Sequence, residues 1–106
     1  MPEDKDNTQV PRSLSVSGGT PEKLIETNLL KRDSVIIGRG NECDVVIHDM
    51  KASRQHCKLT RKTDGFLLED LSSRNGTLVN GSAITAPVLL KANHTFQIGD
   101  TMFYLA

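Results

Sequence analysis

Gln55-His56-Cys57-Lys58-Leu59-Thr60-Arg61 runs through Thr63-Asp64-Gly65 into Phe66-Leu67-Leu68-Glu69-Asp70. The first half alternates, with Cys57 and Leu59 on one side and Lys58 and Thr60 on the other, the period of a half-buried strand. Thr63-Asp64-Gly65 carries turn chemistry, so the two halves read as a hairpin. Outward from it the same signals recur. Leu14 and Val16 alternate with Ser13, Ser15 and Ser17, and Gly18-Gly19-Thr20-Pro21 reads as a turn. Lys23 to Leu30 reads as a second strand, Ser34 to Ile37 as a third ending at Gly38, and Val45-Val46-Ile47 as a short buried one. Asn80-Gly81 is a two-residue hairpin turn in which both residues take positive φ. Strands near Val88–Leu90, His94–Ile98 and Met102–Leu105 follow, the last two joined at Gly99-Asp100.

Short strands every 8–12 residues with turns between them predict an all-β fold, a sandwich or barrel. No stretch shows a 3.6-residue period. The first ten residues are polar and read as a flexible tail, leaving 11–106 as one domain of a 106-residue chain. Lys+Arg and Asp+Glu are 13 each, so the formal net charge is zero. That argues against non-specific nucleic-acid or membrane binding, which needs a broad basic surface. Cys43 and Cys57 sit in apolar runs and read as packed, reduced thiols of an intracellular protein. No secretory leader or long apolar span is visible.

Chemistry concentrates in four short motifs spread over about forty residues: Gly38-Arg39, Ser53-Arg54-Gln55-His56, Asp70-Leu71-Ser72-Ser73-Arg74-Asn75-Gly76-Thr77 and Val79-Asn80-Gly81. Arginine, serine and asparagine side chains on glycine-bearing loops suit the binding of a small anion beside a peptide. Ser53, His56 and Asp70 supply the letters of a hydrolase triad. However, Ser53 and His56 stand three residues apart at a strand entrance without a nucleophile-elbow pattern. Cys43, His48, His56 and Cys57 have metal-ligand chemistry, but adjacent strand residues such as His56 and Cys57 face opposite ways. Neither an enzyme nor a metal or cofactor site is therefore expected.

In order and spacing these motifs, with Cys43-Asp44-Val45-Val46-Ile47 and Gly99-Asp100, resemble a forkhead-associated (FHA) domain from roughly Pro11 to Ala106. The resemblance implies a two-sheet antiparallel β-sandwich of ten or eleven short strands that binds phosphothreonine in a partner protein. It implies phosphopeptide contacts from Arg39, Ser53, Arg54, Arg74 and Asn75, and loop support from Gly38, His56, Gly76 and Thr77. His56 is expected to bond to neighbouring main chain, Asn75 to pair with an extended peptide, and Thr77 to satisfy local main-chain groups. Arg74 departs from the family, where a Thr or Ser often stands here and touches the phosphate. Peptide preference is expected to depend on the loops around Asn41-Glu42, Met50-Lys51 and Ser72 to Arg74. The resemblance further implies a monomeric, intracellular domain of the kind signalling proteins carry. The alternative within the same fold is an interaction module that ignores phosphate.

Overall fold

The computed structural model describes residues 11, 13–17, 23–25 and 32–106. All its regular elements are strands. The first six are β1 (Leu14–Ser17), β2 (Lys23–Ile25), β3 (Ser34–Gly38), β4 (Val45–Val46), β5 (Cys57–Lys62) and β6 (Gly65–Asp70). β7 (Leu78–Val79), β8 (Ser82–Ala83), β9 (Val88–Leu90), β10 (Thr95–Ile98) and β11 (Thr101–Leu105) complete the set. They form a six-stranded sheet in the order β2-β1-β11-β10-β7-β8 and a five-stranded sheet in the order β4-β3-β5-β6-β9. Pairing is antiparallel except between β3 and β4, which run parallel.

Alternation explains how the sheets pack. In β11, Thr101, Phe103 and Leu105 are buried while Met102 and Tyr104 face outward. β1, β5 and β10 alternate likewise. Leu14, Val16, Phe96, Ile98, Phe103 and Leu105 of one sheet join Val35, Ile37, Leu59, Phe66, Leu68 and Leu90 of the other in one core cluster. Phe96 and Phe103 are cross-strand partners whose rings stack at 4.6 Å between centroids. Such a pair contributes about 0.5–1.5 kcal/mol beyond the area it buries.

The hairpin turns follow the sequence. Asn80 and Gly81 take φ of 53° and 82°, as a type I′ turn requires. Gly99 takes 56° in the turn between β10 and β11. The start of β5 differs from expectation. β5 begins at Cys57, leaving Gln55 and His56 in the preceding loop. His56 and Cys57 are both fully buried, Cys57 in the core cluster and His56 against the main chain of Ser53 and Gly76. The tail 1–10, the turn 18–21 and residues 26–30 of the expected second strand lie outside the described residues. Among the described residues no helix is long and apolar enough to cross a membrane.

Register sets the position of the motifs. Ile37 pairs with Cys57, and Cys57 pairs with Asp70. The end of β3, the start of β5 and the end of β6 therefore lie side by side. The bonds continue one residue beyond the strands: His56 N–H donates to Ile37 O and Leu71 N–H to His56 O, each at 2.9 Å. Three motif-bearing loops thus leave the same end of the five-stranded sheet.

Candidate functional site

The first two loops are joined through their backbones. Arg39 N–H donates to Ser53 O at 2.9 Å and Gly40 N–H to Arg54 O at 3.0 Å. This approach is the reason for glycine at position 38. A Cβ there would stand 2.3 Å from Arg54 O and 2.9 Å from Ser53 O, with no flexible side chain to yield. Arg39 itself is exposed, and its Nε donates to Ala52 O at 3.1 Å. That bond holds the stem of the guanidinium and leaves its outer nitrogens for an anion.

His56 connects the second loop to the third. Its ring is fully buried. Nδ1 accepts from Ser53 N–H at 3.0 Å, so that nitrogen carries no proton and Nε2–H donates to Gly76 O at 2.8 Å. One side chain thereby fixes the main chain at Ser53 and at Gly76, 20 residues away from His56. Both ring nitrogens are committed to main chain, and neither is placed to take a proton from Ser53 Oγ. That oxygen accepts from Arg74 N–H at 3.0 Å, and its own hydrogen remains for an outside acceptor.

Asp70 organises the third loop. Its carboxylate accepts from Ser73 N–H at 3.0 Å, from the Ser73 hydroxyl, and from the Thr77 hydroxyl at 2.7 Å. The Thr77 hydroxyl thus bonds a side chain, not the main-chain groups expected from sequence. Ser73 Oγ in turn accepts from Gly76 N–H at 2.9 Å, where Gly76 turns the chain at φ +86°. Burial on its own would raise the Asp70 pKa. The Ser73 and Thr77 bonds more than offset this and hold it below the usual carboxylate range. The loop presents Arg74 and Asn75, both exposed. Asn75 Nδ2 donates to Lys51 O at 2.8 Å, tying the third loop to the second again. Its Oδ1 and second N–H remain available.

Asp49 anchors the other side of the serine loop. Burial would raise its pKa too, but Lys51 N–H, the Thr101 hydroxyl and Asp100 N–H all donate to it and its pKa falls below the ordinary value. These bonds join the second loop to the β10–β11 turn, and a Lys51–Asp100 ion pair at 3.2 Å lies beside them. Sequence reasoning missed Asp49, Asp70 and Ser73 as organisers of the site. The Asx spacing, a carboxylate accepting the N–H two or three residues on, was the available signal.

The five sequence-predicted contact residues fall into two groups. Arg39, Ser53, Arg74 and Asn75 are joined by named bonds across the three loops. Arg54 contributes its carbonyl to Gly40 N–H and to the Cys43 thiol, while the residue itself is exposed. A cavity of about 280 Å³ on the flank, lined by Glu69, Asp70, Ser72, Ile84, Thr85, Ala86 and Pro87, contains none of the five. They occupy open surface, which suits an extended chain better than an enclosed small molecule. Both cysteines are free and buried, and burial raises both thiol pKa values, Cys57 strongly. Among the described residues no three His, Cys, Asp or Glu side chains come together as a metal site.

Comparison with known proteins places this geometry among relatives. The family model for the FHA domain matches residues 35–99. The human proliferation marker protein Ki-67 is 40% identical over 74 residues, which is 70% of this chain and 2% of that protein's length. The FhaA FHA domain, solved in complex with the intracellular domain of Rv3910, superposes with a TM-score of 0.73 at 26% identity. The match covers 89% of this chain and 100% of that one. A further structure, from work on phosphothreonine-dependent FHA domain interactions, has a TM-score of 0.67 at 25% identity, covering 87% and 93% of the two chains.

Proposed function

This chain belongs to the FHA domain family, and from that premise we propose that it binds a phosphothreonine-bearing segment of a partner protein. The observation that carries the reading is the junction at Ser53. Its N–H is held by His56, its carbonyl by Arg39 and its hydroxyl oxygen by Arg74, leaving the hydroxyl hydrogen to donate outward. We assign the phosphate to the Ser53 hydroxyl and the outer nitrogens of Arg39, with Arg54 next in sequence as a further cation. Asn75, with one donor and its acceptor available, reads the main chain of the extended peptide. Gly38, His56, Gly76 and Thr77 hold the loops in place. The neighbours complexed with a partner domain or studied for phosphothreonine-dependent interaction support the same reading.

Magnitudes decide what is recognised. A charge-assisted hydrogen bond is worth about 1.5–3 kcal/mol, so two or three of them separate phosphorylated from plain peptide by orders of magnitude. The threonine methyl adds only about 1 kcal/mol, so discrimination against phosphoserine is the smaller effect. The reading assigns no reaction and no cofactor, and residues 11–106 act as one domain. An intracellular setting follows from the partner chemistry and accords with Cys43 and Cys57 as free thiols.

The test is amide mapping by NMR during titration with a phosphothreonine peptide. Shifts should concentrate at Arg39, Ser53, Arg74 and Asn75, and the unphosphorylated peptide should leave them unmoved. Equal responses to both peptides would instead favour the phosphate-independent module.

A further inference from the structure

We propose that the site takes a second anionic group beside the phosphothreonine, a carboxylate or another phosphate on a flanking peptide residue, and that Arg74 holds it. The inference rests on the phosphothreonine reading and deepens it. Three arginines meet one serine through the main chain. Arg39 N–H bonds Ser53 O, Arg54 follows Ser53 in the chain, and Arg74 N–H bonds Ser53 Oγ. All three residues are exposed. The ion pairs among the described residues are Arg32–Asp44, Lys51–Asp100 and Lys58–Glu69, and none involves the three arginines.

The nearby acids are otherwise engaged. Asp49 and Asp70 accept hydrogen bonds from main-chain amides and hydroxyls, and Asp100 pairs with Lys51. Glu42 is the exception: it is exposed, and its carboxylate occupies the space where a Cβ on Gly40 would lie. Among the described residues the rim therefore presents three arginines without an ion-pair partner against one carboxylate, although the chain as a whole is neutral. A phosphothreonine carries about −1.5 to −2 charge, which Ser53, Arg39 and Arg54 suffice to meet. Arg74 is left with a planar fork of donors suited to a further carboxylate or phosphate. Its place explains which anion. It follows Ser73 and precedes Asn75, and its main chain is pinned on Ser53. It thus stands between the group assigned to phosphate and the group assigned to the peptide main chain, where a flanking side chain must pass.

The experiment is calorimetric titration of the full chain and of Arg74→Ala, whose main-chain N–H is retained. Three phosphothreonine peptides are compared: one with alanines on both flanks, one with glutamates there, and one with phosphoserines there. An unphosphorylated glutamate-flanked peptide is the control. The wild-type chain should bind at least one anionic-flank peptide roughly three- to fivefold more tightly than the alanine-flank peptide, the upper scale of an exposed ion pair. The ratio should shrink with added salt and fall to near one in Arg74→Ala. Whether glutamate or only phosphoserine gives the gain identifies the source of the anion. A wild-type ratio near one, or a ratio that survives Arg74→Ala, overturns the second-anion assignment alone. Failure of the alanine-flank phosphopeptide to bind, or equal binding of the unphosphorylated control, overturns the phosphothreonine reading and this inference with it.

Discussion

His56 and Ser53 are three residues apart, and their substitutions should separate support from contact. His56 is fully buried, with Ser53 N–H and Gly76 O as its two partners. His56→Ala strands both groups and leaves a cavity, so stability should fall by about 2–4 kcal/mol and phosphopeptide affinity should fall with it. Ser53→Ala removes a half-buried hydroxyl whose protein partner, Arg74 N–H, is exposed to water. It should change stability by less than about 1 kcal/mol yet remove measurable binding. Urea denaturation of both variants, set beside their binding isotherms, checks the pair. A stable His56→Ala protein that has lost binding would make the histidine a direct ligand.

The site depends on an element outside its own sheet. The β10–β11 turn closes against Asp49: a Cβ on Gly99 would stand 2.7 and 2.8 Å from the two carboxylate oxygens, at a φ of +56°. Gly99→Ala should therefore lower stability by about 1–3 kcal/mol and also weaken phosphopeptide binding, by displacing the loop that carries Ser53. Gly81→Ala is the control. It has comparable positive φ and nothing within 4 Å of the added Cβ, and it lies in the β7–β8 turn, outside the three loops joined at Ser53. It should cost about 1 kcal/mol and leave affinity unchanged.

At this scale the sequence was readable wherever the signal was local. Alternation located β1 and β5, and turn residues located the Asn80-Gly81 and Gly99-Asp100 turns. The start of β5 was misjudged by a residue or two: His56 keeps main-chain bonds to Ile37 and Leu71, but its side chain is committed to Ser53 and Gly76, partners that alternation does not reveal. The parallel pairing of β3 with β4 was hidden because β4 is two residues long. The motif order pointed to the loops that carry the contact residues. The Asx turn of Asp49 onto Lys51 was legible in principle, but its link to the β10–β11 turn was not, since that depends on partners 51 and 52 residues away.

For the molecule as a whole, the lowered pKa values of Asp49 and Asp70 link stability to pH. Each carboxylate is more acidic folded than unfolded, so on acidification the unfolded chain takes up the proton first. Their contribution is complete above the ordinary carboxylate value near 3.8 and is lost as pH falls through the lower folded values. Melting temperature should therefore drop steeply below about pH 4. Asp70→Asn should be less stable at neutral pH and show a shallower acid decline. Equal acid slopes in the two proteins would remove Asp70 from this account.

The central claim, that one end of the sandwich is a phosphothreonine receptor built on Ser53 and Arg39, is tested most directly by calorimetric titration with a single peptide. The peptide is presented as threonine, phosphothreonine and phosphoserine, against the wild-type chain and Arg39→Ala. The account predicts binding of the phosphothreonine form, weaker binding of the phosphoserine form by roughly five- to tenfold, and none of the plain form. It predicts loss of all binding in Arg39→Ala at an unchanged melting temperature. Wild-type affinity retained by Arg39→Ala, or equal affinity for the plain peptide, would contradict it.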